Sequence, residues 1–275
     1  MTKQNPPNIK KTNCFFTGGS RVVATGRTFE SNSDDTHIIF CACANADIIP
    51  ADRKQRLRAV LAEGGRPVTV FSDLCGAAAR RDPRLRQLAA AGRLLIIACY
   101  PRAVQWLFHR AGATLDPAHT LLLNMRIMTA EEIIAILAES APRPGGGAQQ
   151  PPTVAPDASG ADWRPWFPVI DHDRCTNCRQ CLDFCLFGVY ASDQQGRVAV
   201  ERPANCKDNC PACARMCPAL AIMFPKIDED SPINGSDADA ASASGKVCLT
   251  HDQLFGEHTL ARLRARQRPP LFKQP

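Results

Sequence analysis

From Thr36 onward, short apolar runs alternate with segments of helical periodicity. Residues 37–43 form a compact apolar run that reads as a buried strand. Ala51–Glu63 places Leu57, Val60 and Leu61 at helical spacing and stops at Gly64-Gly65. Residues 67–71 are the next strand. Residues 83–91 read as a helix with Asp82 as N-cap and Gly92 beyond its end. Residues 94–99 are apolar throughout and predict a third strand, 102–111 a third helix, and Thr120–Asn124 a fourth strand. Thr129 opens the last helix, with Glu132 three residues on to complete a capping box. Strand–helix alternation at these lengths predicts an α/β domain over residues 36–140, a small parallel sheet with helices on both faces.

The remaining segments are patterned differently. Residues 1–35 are polar with little periodicity, a flexible lead-in. Residues 141–160 hold five prolines and four glycines and read as a linker. Residues 161–227 form a second, cysteine-rich domain. Residues 228–246 are acidic, small and polar, a second flexible stretch. Residues 247–275 form a C-terminal segment in which Leu254, Leu260 and Leu263 suggest a short helix.

Composition changes this picture in one respect: the chain has fourteen cysteines in 275 residues. No secretory signal is visible at the start, and no apolar stretch is long enough for a membrane span. The expectation is a cytoplasmic protein, where clustered cysteines serve as metal ligands or redox groups more often than as disulfides. The net charge of +6 is uneven, with twelve Arg or Lys against four Asp or Glu over residues 51–112. Such a run is usually a solvated helix face. Its functional alternative is an acidic partner or nucleic acid, but no aromatic-interleaved stripe or helix-turn-helix pattern accompanies it.

Two cysteine arrays carry the chemistry. The first is Cys175-x2-Cys178-x2-Cys181-x3-Cys185; the second is Cys206-x3-Cys210-x2-Cys213-x3-Cys217-Pro218. Three thiolates on one tight loop can each reach a different iron of a cubane, while intervening N–H groups point at the sulfurs. The fourth cysteine follows three residues later and points away, so it ligates the other cluster. By that logic one [4Fe–4S] cluster takes Cys175, Cys178, Cys181 and Cys217, and the other takes Cys206, Cys210, Cys213 and Cys185. The halves form an internal repeat of strand, cysteine loop, short helix and return strand, predicting a small α+β unit with pseudo-twofold symmetry. Four-cysteine zinc sites normally use two C-x2-C pairs separated by a longer stretch, which is not this pattern. The segment resembles the bacterial-type two-[4Fe–4S] ferredoxins over about 60 residues. It departs from them at Leu186, where the family usually has proline, and in the three-residue gap between Cys206 and Cys210.

Four further cysteines stand near strand ends of the first domain: Cys41, Cys43, Cys75 and Cys99. In a parallel sheet all carboxyl ends lie on one edge, where ligand sites form. Either these thiols converge there, or they are packed as small hydrophobes. The segments around them, Phe40-Cys-Ala-Cys-Ala-Asn45, Asp73-Leu-Cys75 and Ile97-Ala-Cys-Tyr-Pro-Arg102, resemble the N-terminal domain of the flavin-containing subunit of heterodisulfide reductase. Ala44 stands for that family's usual glycine, and the histidine after Pro-Arg is absent. The resemblance implies a third cluster at these four cysteines and a flavoprotein or heterodisulfide-reductase-like complex as partner. No G-x-G-x-x-G follows a strand, so no nucleotide site is evident. His109 and His119 are not assigned a role, and Trp163 and Trp166 are expected to pack over the cluster domain. The leading expectation is an iron–sulfur electron carrier or one component of an oxidoreductase rather than a stand-alone enzyme. The alternatives are a regulatory or nucleic-acid-associated iron–sulfur protein, and a dithiol chemistry at Cys41 and Cys43.

Overall fold

The computed structural model describes residues 36–64, 66–139, 153–154, 163–229 and 231–237. The lead-in, the C-terminal segment and most of the 141–160 linker lie outside the described residues.

The first domain is a parallel sheet of β1 (His37–Cys41), β2 (Val68–Phe71), β3 (Leu94–Ala98) and β4 (Thr120–Asn124), in the order β4-β3-β1-β2. The segment read as linker contributes a two-residue fifth strand, β5 (Thr153–Val154), parallel to β2 at that edge. The strands are near-continuous apolar runs because both faces are covered. Helix α1 (Ala51–Glu63) buries Leu57 and Leu61, one turn apart, and packs with α5 (Ala130–Glu139) on one face. On the other face α2 (Leu74–Ala79) packs with α4 (Pro101–Arg110). Between these lies α3 (Pro83–Ala90), whose cap Asp82 accepts the Arg84 N–H at 3.0 Å. The capping box at α5 is reciprocal: Thr129 N–H donates to Glu132 at 2.8 Å, and Glu132 N–H to Thr129 Oγ1 at 3.2 Å.

Helix α2 is an element that hydrophobic periodicity does not announce. Its residues, Leu-Cys-Gly-Ala-Ala-Ala, are buried all round and have no polar face to mark a period. Asp73 caps it, accepting from Gly76 N–H at 3.1 Å.

The second domain pairs strands between its two halves. β6 (Val169–Ile170) runs antiparallel to β9 (Ile222–Met223), and β7 (Tyr190–Ser192) antiparallel to β8 (Val198–Val200). Each half's first strand thus pairs with the other half's return strand. The short helices α6 (Gln180–Phe184) and α7 (Ala212–Met216), one per half, touch each other. Within the acidic stretch after Asp228, residues 231–237 form a defined turn. A 3₁₀ turn, Pro232–Asn234, buries Ile233 and Asn234, and Phe224 N–H donates to Ile233 O at 2.6 Å. An apolar side chain and an amide with good partners hold it, against a composition that reads as flexible.

The two domains share one continuous apolar core. Helix α4 is the seam, and it presents Arg102, Trp106 and Arg110 at successive i, i+4 positions. Arg102 Nε meets Asp171, at the end of β6, at 2.7 Å; its other nitrogens donate to Leu220, Pro232 and Ser236 carbonyls. Trp106 packs edge-on against His172, with ring centres 5.4 Å apart. Arg110 donates to Val200 O at 2.6 Å and stands over the Phe167 ring. Gly235 has φ +102°, and a Cβ there would fall 2.6 Å from Ala103 Cβ, so only glycine lets this turn approach α4 so closely.

Candidate metal centres

In the first array Asp171 shapes the loop. Its Oδ1 accepts the Asp173 and Arg174 N–H groups, and its carbonyl accepts Cys175 N–H at 3.0 Å. Asn177 takes a left-handed conformation at φ 55°, and its amide bridges to Gly196 O and Val198 N–H, tying the loop to β8. Cys175, Cys178 and Cys181 line one recess, and the fourth thiol in it is Cys217, from the other array. Ile170, Val198 and Ile222 form its apolar wall. Ala221 N–H donates to Cys217 Sγ at 3.4 Å. Burial pushes the Cys175 and Cys181 thiols up, and the crowd of neighbouring thiols, Cys217 among them, adds to the shift.

The second array gathers likewise. Burial, then Cys213, Cys210 and Cys185, push Cys206 up to about 12. Cys213 is raised to about 11 by burial, with Cys185 and Cys210 adding to it and Tyr190 opposing. The Tyr190 hydroxyl is buried beside Cys213 without a nitrogen or oxygen partner. The structure therefore places Cys185 among the thiols of the second array and Cys217 among those of the first. The three-residue gap after Cys206 is absorbed before Asn209, which at φ 57° matches Asn177, so each loop carries a left-handed asparagine immediately before its second cysteine. Leu186 is 93% exposed, so its side chain packs against nothing that the usual proline would have to preserve.

The four cysteines of the first domain meet at the carboxyl edge of the sheet. The order β4-β3-β1-β2 reverses direction at β1, so this edge holds the crevice expected at a topological switch point. Cys41 ends β1, Cys43 follows in a left-handed conformation at φ 47°, Cys99 follows β3, and Cys75 sits in the first turn of α2. Leu74 N–H donates to Cys41 Sγ at 3.4 Å. The Cys41 thiol is pushed well up, first by its hydrogen bond with Cys43 and then by burial. Burial raises Cys75 as well, and Asp73 and Cys99 add while Lys226 opposes. Cys99 is raised to about 12 by burial and by Cys41, against the pull of Arg126.

Among the described residues, no three His, Cys, Asp or Glu side chains converge on a single-ion site. A cubane asks for something else, since its irons occupy separate corners and its thiolates stand apart. Crowded, buried thiols that resist ionisation suit a cationic iron core, which supplies the charge that makes thiolates favourable there. Buried N–H donors on Cys41 and Cys217, and the Tyr190 hydroxyl beside Cys213, fit sulfur acceptors.

Sequence reasoning gave no role to Asp73 and Arg102, which it met only as parts of motifs, and missed Arg126 and Lys226; these four surround the first-domain site or join it to the second domain. His109 stacks with Trp106 and His172 at the seam, and His119 is paired with Asp116. Trp166 stacks on Phe224 at 5.1 Å and also lines a recess with Cys75, so it lies between the domains and not only over the cluster unit. No helix among the described residues is long and apolar enough to cross a membrane.

No protein-family model matches the chain. It is similar to an uncharacterized ferredoxin of Methanocaldococcus jannaschii, 47% identical over 68 residues, covering 24% of this chain and 44% of that protein. It is also similar to the pyruvate synthase subunit PorD of the same organism, 33% identical over 51 residues, 18% of this chain and 54% of that one. The chain spans about half the length of these curated relatives. The ferredoxin similarity lies in the C-terminal part and supports an iron–sulfur ferredoxin domain there.

Proposed function

We propose that the chain is an electron-transfer protein or redox-complex subunit with two [4Fe–4S] clusters in its second domain and a third in its first. The ligands are Cys175, Cys178, Cys181 and Cys217 for one, and Cys206, Cys210, Cys213 and Cys185 for the next. Cys41, Cys43, Cys75 and Cys99 hold the third. The observation that carries this reading is the presence of Cys217 in the same recess as the three cysteines of the opposite array. Bound clusters supply one-electron exchange without bond making. The protein's part is to exclude water, direct N–H groups at sulfur and hold the sites in one rigid core.

The partner in this reading is another redox protein, a flavoprotein or a heterodisulfide-reductase-like complex. Phe184, Leu186 and Phe187 are exposed around Cys185 and offer an apolar face beside the second cluster. The dithiol alternative is opposed by burial, because Cys41 and Cys43 are 6% and 5% exposed and a reactive thiol needs access. The nucleic-acid alternative loses part of its basic surface: Arg66, Arg102 and Arg110 donate to protein carbonyls instead.

Anaerobic purification with iron and sulfide counts tests the reading. Three cubanes require about twelve irons per chain, falling to about eight when Cys41 and Cys43 are changed to serine. Eight irons in the unmodified protein, all lost on changing the ferredoxin-type cysteines, would remove the third cluster from the proposal.

A further inference from the structure

The segment from Ala221 to Lys226, which contains β9, leads from the ferredoxin-type domain to the four-cysteine site. Ala221 begins it at Cys217, and Lys226 ends it beside Asp73, with which its ammonium forms a buried ion pair. Only 4% of the Lys226 side chain and 3% of the Asp73 side chain are exposed. Asp73 is itself fixed, accepting from Gly76 N–H and from Asn45 Nδ2 at 3.1 Å each.

The lysine is gripped on both sides. Arg126, which follows β4 in the first domain, donates to Pro225 O at 3.3 Å and to Ile227 O at 2.9 Å. A small recess at the domain boundary is lined by Cys75 from the first domain and by Trp166, Phe224 and Lys226, among others, from the second. The Trp166 indole N–H is buried without an acceptor. Two donors of the second domain, one charged and one neutral, therefore bound a thiol site built by the first.

We propose that Lys226 belongs to the four-cysteine site across the domain boundary, as the buried cation paired with Asp73 beside Cys75 that sets the reduction potential of the cluster held there. This rests on the third cluster of the proposed function. Reduction adds one electron and hence one negative charge to the site. A buried ammonium stabilises that charge and the Asp73 carboxylate opposes it, each more strongly than in water. The two residues therefore act with opposite signs, and the site is complete only when the domains are docked.

The test is EPR-monitored redox titration of the full chain, purified anaerobically. Lys226→Met should lower the potential of the third cluster, with a smaller effect on the other two. Asp73→Asn, which keeps an oxygen to cap α2, should raise it. Lys226→Arg, which keeps the charge, should stay near the unmodified protein. A purely packing role would move both neutralising variants the same way, and that result, or no shift in either, would overturn the proposal. If Lys226→Met fails to hold the third cluster, retention in Lys226→Arg and the upward shift in Asp73→Asn decide in its favour; loss in the arginine variant too decides against it. Eight irons in the unmodified chain would overturn this inference together with the third cluster, whereas twelve irons with unmoved potentials would overturn this inference alone.

Discussion

Arg102→Met is the most informative single change at the domain seam. Arg102 lies on α4, and its ion pair with Asp171 is almost fully buried, with side chains 12% and 6% exposed. Its guanidinium also donates to the carbonyls of Leu220, Pro232 and Ser236, so one side chain gathers three segments of the second domain. Removing one partner of a buried pair typically costs about 3–5 kcal/mol, because the other charge is left uncompensated. Here Asp171 keeps the Asp173 and Arg174 N–H groups at 3.1 and 3.2 Å, which soften the loss. The expected cost is therefore about 3 kcal/mol, roughly a hundredfold in the opening equilibrium of the seam. Hydrogen exchange reads this locally: the Asp171 amide is bonded to Ala221 O at 2.7 Å and should lose about two orders of magnitude of protection. Amides in the β1–β3 pairing should change far less. Arg102→Lys should fall between, since an ammonium keeps the charge but not the planar fork. A loss of protection below about tenfold in Arg102→Met would refute the reasoning, because one good charged hydrogen bond alone is worth about that much.

Two further outcomes follow from other parts of the molecule. Cys185→Ser should damage the cluster of Cys206, Cys210 and Cys213, and Cys217→Ser that of Cys175, Cys178 and Cys181. EPR of the reduced proteins with iron counts distinguishes the two, and damage to the neighbouring array instead would contradict the crossed ligation. Asp82→Ala should cost about 1 kcal/mol by removing the α3 cap. Its pH dependence is fixed by sign: hydrogen bonding from Arg84 holds the Asp82 carboxyl below its ordinary 3.8. The contribution is thus fully present above that value and is lost as pH falls through the lower folded value. The Tm gap between Asp82→Ala and the unmodified protein should narrow on acidification below about pH 4, and a gap that widens there would reject the cap's role.

Much of the architecture could be read from local pattern, and particular residues explain why. Ala51–Glu63 and Thr120–Asn124 have the expected bounds, because apolar spacing and stop signals within each segment are sufficient. Asp82, Thr129 and Glu132 cap their helices through bonds of short sequence separation. Helix α2 was invisible because a helix buried on every side has no amphipathic period. The order around Pro232–Asn234 was invisible because Ile233 is one apolar residue in a polar stretch, and its pocket comes from distant segments.

The same division holds for the metal centres. Spacing by itself led to the expectation that the two arrays exchange their fourth cysteines, since a thiol three residues beyond a tight loop points away from it. It also named Cys41, Cys43, Cys75 and Cys99 as candidates, but left convergence and inert packing both open. Only the tertiary structure decided that these four share one sheet edge with Asp73, because strand order, and not strand content, determines which ends are adjacent. Only it brought Lys226 to them, across 153 positions of sequence. A buried charge is located by the partner that offsets its desolvation, and no local pattern carries the identity of that partner.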